Sequence, residues 1–422
     1  MVGFVMDYGL IGERLSHSFS KTIHEAIFDY DYELCEIKRE DLKLFLTKAE
    51  FKAINVTIPY KQDVIPFLYE IDDVAKKISA VNTVVNKNGK LYGYNTDFSG
   101  LKALILRENI SLKNKKVLIL GSGGTSKTAF AVAEDLGAKE IHRISRSKAD
   151  GLIDYNMAYS EHSDAQIIIN TTPCGMYPNI EASPIDLEKF KSLSGVVDVV
   201  YNPLNTKMIC KAREKGIACC GGLFMLVSQA VFAAEMFTGK KADGKTTENI
   251  YKNLLLAKKN LVLIGMPSCG KSTIGKAVAK KLGKQFYDSD DEIVKDAKMT
   301  IPEVFEKYGE KCFRSLESEK IAYLSAKQGI VIATGGGAVL NKRNIELLKQ
   351  NGLVVFLDRP LEQLVTTDDR PLSKNREMLK KRYEERYSLY CESADIRIET
   401  VEDLEENINA VQEVFLNENS GN

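Results

Sequence analysis

Two glycine-rich turns, each entered from a short apolar run and left by a helical pattern, limit what this chain can fold into. The first reads Ile119-Leu120-Gly121-Ser122-Gly123-Gly124-Thr125 and the second Gly265-Met266-Pro267-Ser268-Cys269-Gly270-Lys271-Ser272-Thr273. A strand that turns through glycine into a helix aims unpaired backbone N–H groups and the positive end of the helix dipole at one spot, which suits phosphate. Such turns also commit their surroundings to alternating strands and helices. The alternation is present: β-rich runs at 117–120, 141–145, 167–170, 196–200, 261–264, 330–333 and 354–357 are separated by amphipathic stretches. An α/β protein with parallel sheets covered by helices is expected.

With 422 residues the chain has room for two to four folding units. An α/β lobe is expected over 1–100, completed by helices from 222–250. A nucleotide-binding lobe follows over 101–221, then a helix or linker over 251–259 and a last domain over 260–422. Lysine plus arginine (58) equals aspartate plus glutamate (58), so no global field favours nucleic acid or an anionic membrane. No run is long and apolar enough to span a bilayer, and residues 1–15 mix Asp7, Glu13 and Arg14 into what reads as a first strand rather than a signal peptide. Eight cysteines without paired metal-site spacing fit a reducing cytoplasm and argue against zinc. His17, His24, His142 and His162 show no metal pairing by spacing either. Small molecules, not nucleic acid or membranes, are the expected partners; the oligomeric state is left open.

The first turn lacks a lysine and fits a dinucleotide. Gly121 supplies the tight turn, Gly123 the close backbone approach, and Ser126 stands where a third glycine usually permits close helix packing. The next strand ends Ile144-Ser145-Arg146-Ser147, with no acid for the ribose hydroxyls of NAD and with a guanidinium suited to a 2′-phosphate, so NADP is preferred. The second turn fits G-x-x-x-x-G-K-[ST]: Lys271 is expected to reach the β- and γ-phosphates of ATP, and Ser272 to ligate Mg²⁺. Asp288 is expected to assist through water. Cys269 reads as a small packing residue within the loop.

The residues around each turn are more specific than the turn. The segments Ser16-His17-Ser18-Phe19-Ser20, Asn55-Val56-Thr57-Ile58-Pro59-Tyr60-Lys61, Ala80-Val81-Asn82-Thr83, Gly93-Tyr94-Asn95-Thr96-Asp97, Asn170-Thr171-Thr172-Pro173, Asp198-Val199-Val200-Tyr201-Asn202-Pro203 and Gly222-Leu223-Phe224 through Gln229 occur in this order. Together they resemble the shikimate dehydrogenase family over residues 5–250. The resemblance implies a two-lobed enzyme with a Rossmann-type NADP lobe. In it Ser18 and Ser20 would hold the substrate carboxylate, and Lys61 and Asp97 would form the catalytic pair. Thr57, Asn82, Tyr201 and Gln229 would meet the ring hydroxyls. Gly121, Ser122, Gly123, Gly124, Thr125, Ser145, Arg146, Ser147, Thr171 and Gly222 would surround the cofactor. Lys21 stands where the family usually has proline. The residue types suit the chemistry, because a ketone reduced by hydride needs a proton, and a lysine beside an aspartate can donate one. Asn95, two residues after Gly93, reads equally well as turn chemistry.

Downstream, Asp288-Ser289-Asp290, the run Phe305 to Glu317 containing Arg314, Gly335-Gly336-Gly337, Asp369-Arg370-Pro371-Leu372 and Arg386-Tyr387-Ser388-Leu389-Tyr390 resemble the shikimate kinase family over 260–415. The resemblance implies a P-loop kinase domain with a parallel sheet, similar to nucleoside-monophosphate kinases. Asp290, Arg314 and Arg386 would bind the substrate, with Asp290 as base or orienter and Gly335, Gly336 and Gly337 close to the ring. Lys271 and Arg370 would neutralise the phosphates, and Gly265, Ser268, Cys269, Gly270, Lys271, Ser272 and Thr273 would form the cradle. Residues 365–374 read as a lid, and Thr366-Thr367 stands in a region where many relatives carry an arginine. The expected function is NADPH-dependent reduction of 3-dehydroshikimate followed by ATP- and Mg²⁺-dependent phosphorylation of shikimate. Quinate or NAD preference in the first half, or an inactive regulatory half, are the alternatives.

Overall fold

The computed structural model describes residues 6–15, 19–146, 151–364 and 376–420. Packing divides the chain into two compact units. One comprises residues 1–176, 182–202 and 211–251; the other comprises 177–181, 203–210 and 252–422.

The first unit holds two sheets. Strands β1 (Tyr8–Gly12), β2 (Glu33–Glu36), β3 (Ala53–Val56), β4 (Glu70–Ile71), β5 (Thr83–Lys87) and β6 (Lys90–Tyr94) form one in the order β2-β1-β3-β5-β6-β4. This sheet is mixed, since β5 runs antiparallel to both β3 and β6. Asn88 and Gly89, with φ of 55° and 82°, make the tight turn between β5 and β6, the left-handed pair that matches the twist of a two-residue hairpin. Strands β7 (Lys116–Leu120), β8 (Glu140–Ile144), β9 (Leu152–Ile153), β10 (Ile167–Asn170), β11 (Gly195–Asp198) and β12 (Ala218–Cys220) form the other, ordered β12-β11-β10-β7-β8-β9 and wholly parallel. Val117 to Leu120 and Ile167 to Ile169 are fully buried, as expected where helices cover both faces of a parallel sheet.

Two helices join these sheets. Helix Thr96–Arg107 begins at Asn95, whose Oδ1 accepts from Phe98 N (3.2 Å) while its amide donates to Ala80 O (2.9 Å). The cap satisfies one orphan N–H of the first turn and pins that turn to the first sheet. Leu101, Leu104 and Ile105 then enter the core of the second sheet with Val117, Ile119, Ile167, Val197 and Phe224. Helix Leu223–Thr238 lies against it, and Gly100 permits the approach: a Cβ there would sit 2.8 Å from Met225 O and 2.9 Å from Gln229 Cβ.

In the second unit strands β13 (Asn260–Ile264), β14 (Gln285–Asp288), β15 (Ile330–Ala333), β16 (Gly352–Asp358) and β17 (Ile396–Glu399) form a parallel sheet ordered β14-β15-β13-β16-β17. Its central strands are buried along their whole length, with Leu261 to Ile264 and Val354 to Leu357 in one core. Residues 251–258 lie within helix Thr246–Lys258. Helix Ile301–Ser325 starts from a capping box in which Thr300 and Glu303 bond each other's backbone N–H, and it is interrupted at Gly309 (φ 78°) before presenting Arg314 and Glu317. Among the described residues no helix is long and apolar enough to cross a membrane.

Candidate active sites

In the first unit a cleft of about 570 Å³ lies where the C-terminal ends of the strands meet the two connecting helices. After β3 the chain turns, with Thr57 N donating to Ile11 O and Tyr60 N to Thr57 O. The fully buried Tyr60 hydroxyl donates to Ile37 O (2.5 Å), and Lys61 N-terminal to the next turn lines the cleft. Asp97 lies in the first turn of helix Thr96–Arg107, which Asn95 caps. These two placements bring Lys61 Nζ to 2.6 Å from Asp97 Oδ2, with side chains 25% and 15% exposed. Asn95 is therefore a helix cap, and Asp97, two residues along, is the cleft residue.

Thr57, Asn82, Tyr201, Gln229 and Ser20 line the same cleft. Asn82 is buried, and its Oδ1 accepts from Thr96 N (2.7 Å) and Thr83 Oγ1 (3.1 Å). Among the described residues its NH₂ group makes no hydrogen bond, so it is the group left to donate. Gln229 uses its amide nitrogen on Leu226 O (3.0 Å), which orients the carbonyl oxygen as acceptor. Burial raises the Tyr201 phenol above its usual range, and its ring meets Phe19 edge-on. Ser18 lies outside the described residues. Arg14, Phe19, Asn55 and Met225 also line the cleft and were not singled out from the sequence. Arg14 was read there only as one of the charges mixed into a first strand.

The glycine turn reaches this space. Thr125, in the first turn of helix Gly124–Asp135, lines the cleft together with Lys61 and Asp97. Gly121 (φ 121°) leaves no room for a side chain, because a Cβ would meet Thr171 Oγ1 at 2.6 Å; that hydroxyl donates to Leu120 O. At Gly123 and Gly124 a Cβ would meet nothing within 4 Å, and no side chain caps the helix. A tight, open, uncapped helix N-terminus is what a pyrophosphate needs, so these residues fit a dinucleotide. Ser126 is fully buried and its hydroxyl bonds Gly123 O (2.7 Å), the close packing expected of it. Gly222 lies so near Val199 O (2.1 Å to a Cβ) that only glycine fits. Ser145 is buried and Arg146 exposed at the end of β8; Ser147 lies outside the described residues.

The second unit has a cleft of about 610 Å³ over the C-terminal ends of β13, β14 and β15. Gly265 (φ 147°), Ser268 (φ 66°) and Gly270 (φ 95°) turn the chain into helix Lys271–Leu282. The Lys271 ammonium is buried and donates to Gly265 O (2.9 Å) and Met266 O (2.8 Å). Ser272 and Thr273 line the cleft, and Cys269 is buried under the loop. Ser272 Oγ donates to Asp288 Oδ2 (2.5 Å), while Asp288 Oδ1 caps the next helix through Asp290 N (3.0 Å). A hydroxyl and a carboxylate oxygen side by side at the phosphate loop are a donor set that fits Mg²⁺.

Across the cleft Arg314 Nη1 donates to Glu317 Oε2 (2.9 Å) and Nη2 to Glu310 Oε1 (3.2 Å). Burial raises the Glu317 carboxyl, and the Arg314 charge opposes that rise. The three glycines make this crowding possible. A Cβ on Gly335 would lie 2.5 Å from Asp290 Oδ1, and one on Gly337 would lie 2.0 Å from Arg314 Nη1. Of their amides that of Gly335 is already engaged, donating to Ser289 Oγ (2.8 Å). The buried Arg386 donates through Nη1 to Gly336 O (2.8 Å), which also accepts from Tyr390 OH. Arg382 also lines the cleft and was not singled out from the sequence. Burial lowers its pKa first and the Arg386 charge second. Arg370 lies outside the described residues.

Known families match both parts of the chain. Residues 10–84 match the shikimate dehydrogenase substrate-binding domain model and residues 267–415 the shikimate kinase model. The chain is 37% identical over 260 residues to shikimate dehydrogenase (NADP(+)) of Clostridium beijerinckii, covering 58% of this chain and 96% of that protein. This chain belongs to the shikimate dehydrogenase family. The dehydrogenase carries a shikimate kinase domain at its C-terminal end, so it joins an oxidoreductase and a phosphotransferase in one polypeptide. Among solved structures it resembles a chorismate mutase/shikimate 5-dehydrogenase fusion protein from Clostridium acetobutylicum, at 35% identity and a TM-score of 0.56 over 59% of this chain and 97% of that one. It also resembles shikimate 5-dehydrogenase from Thermus thermophilus in complex with NADP(H) and shikimate, at 26% identity and a TM-score of 0.54, covering 59% and 99%.

Proposed function

We propose that this chain reduces 3-dehydroshikimate to shikimate with NADPH and phosphorylates shikimate at its 3-hydroxyl with ATP and Mg²⁺. The observation that carries the reading is the Lys61–Asp97 pair, 2.6 Å apart, in the cleft that also holds the first turn of the glycine-loop helix. A hydride donor laid along that helix and a proton donor on the pair would meet over one substrate carbon. When bound, NADPH supplies the hydride, ATP the phosphoryl group and Mg²⁺ the neutralising charge.

In the first cleft Lys61 would hold the ketone oxygen and give it a proton as hydride arrives, with Asp97 keeping the ammonium aimed. Asn82 would donate to a ring hydroxyl and Gln229 accept from one, as their internal bonds dictate. Ser18 and Ser20 would hold the carboxylate. Ser122, Gly123, Gly124 and Thr125 would receive the pyrophosphate, and Arg146 the 2′-phosphate, which favours NADP.

In the second cleft Arg314 and Arg386 would clamp the carboxylate and Asp290 would take the proton of the attacking hydroxyl. Lys271 would exchange its two carbonyl partners for phosphate oxygens, with Arg370 beside it, while Ser272 and Asp288 would hold Mg²⁺. Phosphoryl transfer asks mainly for alignment and neutralised charge, which these groups supply. The test is a purified-protein assay that follows NADPH consumption and ADP release from 3-dehydroshikimate. ADP release that depends on NADPH, and NADPH consumption that does not depend on ATP, are expected. ADP release from 3-dehydroshikimate without NADPH would refute the order of steps.

A further inference from the structure

Spacing gave His142 and His162 no metal partner, but the fold stacks them. Glu140 and His142 are two residues apart on β8 and so share a face, and His162 comes from the turn that follows helix Tyr155–Ser160. The imidazole centroids are 3.9 Å apart. His142 Nε2 lies 2.6 Å and His162 Nδ1 3.8 Å from Glu140 Oε1. One ligand atom from each of the three residues lies within 4.8 Å of the others.

We propose that Glu140, His142 and His162 form a binding site for a transition-metal cation of the zinc class. Three features support it. First, His162 Nδ1 is buried, with its side chain 12% exposed, and makes no hydrogen bond among the described residues. A buried ring nitrogen without a partner costs free energy that a ligand at that point would recover. Second, two imidazoles and one carboxylate are the donor set of zinc sites that keep a position open, and imidazole excludes Mg²⁺ and Ca²⁺ as natural occupants. Bonds of roughly 2.0–2.1 Å at tetrahedral angles place donor atoms roughly 3.3 Å apart. The observed 2.6 and 3.8 Å straddle that value, so rotations of side chains suffice. Third, Glu140 is 40% and His142 25% exposed, which leaves a solvent side for entry and for a water.

Lys116 is the cation that opposes the site. Its Nζ sits 3.3 Å from Glu140 Oε2, but it is also held 2.9 Å from Asp164 Oδ1. Two carboxylates against one ammonium leave the surroundings net negative, and Glu140 Oε1 faces the histidines. Glu140 pairs with Lys116 at the start of β7, the opposite end of that strand from Gly121. The site is thus remote from the hydride chemistry, and its effect would be to tie β8 to the turn before β10. A bound cation that prefers the folded state raises stability by mass action.

The test uses the full-length protein, stripped with chelator and titrated with Co²⁺ while excess Mg²⁺ occupies oxygen-only sites. Visible d–d bands without the near-ultraviolet thiolate band, saturating at one equivalent, are expected. That equivalent should disappear in His142→Ala and in His162→Gln and weaken in Glu140→Gln, with reductase turnover retained as proof of folding. Zn²⁺ should displace the signal and raise the thermal midpoint of the wild type alone. No Co²⁺ uptake, a thiolate band, or an equivalent that survives both histidine changes would overturn the proposal and leave a histidine–glutamate hydrogen bond in its place.

Discussion

Replacing Gly337 by alanine should separate the two activities. The residue has φ near −103°, which alanine adopts freely, so the backbone is not perturbed. The new Cβ would lie 2.0 Å from Arg314 Nη1 and 2.5 Å from its Cζ, against ordinary contact at 3.4 Å. The guanidinium must therefore retreat by about 1.4 Å. It is the end of a flexible side chain, so the fold survives, but its 2.9 Å bond to the buried Glu317 is disturbed and its place in the cleft is lost. A misplacement of roughly 1 Å at a positioning group costs on the order of 10²-fold, equivalent to about 2.7 kcal/mol of transition-state stabilisation. Kinase kcat/KM for shikimate, measured by ADP release, should fall by about that factor. Oxidation of shikimate with NADP⁺ by the same preparation should be unchanged. A variant whose kinase kcat/KM stayed within about twofold of wild type would refute the assignment of Arg314 to the substrate.

Lys61→Ala should lower reductase turnover by about 10²- to 10⁴-fold and leave the kinase intact, and Lys271→Ala should do the reverse; loss of both activities from either change would contradict two independent sites. Arg382→Ala should raise the kinase KM for shikimate several-fold with kcat nearly unchanged, because the residue adds positive charge to the cleft without an ion-pair partner among the described residues. His24 is fully buried against Tyr32 (ring centroids 4.0 Å apart), and burial lowers its pKa to about 3. The unfolded chain, with a pKa near 6.5, binds the proton more readily, so stability is intact above pH 6.5 and is lost as pH falls from there towards 3. Each unit of pH in that window costs about 1.4 kcal/mol, so the urea midpoint for loss of reductase activity should drop steeply between pH 6.5 and 5, and less steeply in His24→Gln.

The two glycine turns were legible because their chemistry is local: a turn, its strand and its helix are contiguous. At Asn95 turn chemistry was one of two readings, and its place as the cap of helix Thr96–Arg107 was not foreseen. The hairpin at Asn88-Gly89 carried an equally local signal that was passed over. What sequence hides is convergence. Lys61 and Asp97 were paired by resemblance, since a separation of 36 positions gives no spacing rule. Arg382 was not singled out, since it stands in the charged run Lys380-Lys381-Arg382 and only the fold turns it into the cleft with Arg386. Gly335 to Gly337 were expected to serve a ligand, yet their smallness first serves Asp290, Arg314 and the proline of the phosphate loop. Glu140, His142 and His162 meet because a turn twenty residues on is carried back to β8.

The close crossing at Gly100 has a mechanical consequence. Asp97 and Gln229 ride on two helices locked together at backbone distance, and the same helices anchor in the core beneath β7 and β10. The two side chains therefore move as one body. Any hinge that narrows the cleft would act in the loops around Lys61 and the glycine turn, which leaves those two segments as the adjustable parts and the floor between them as the fixed reference.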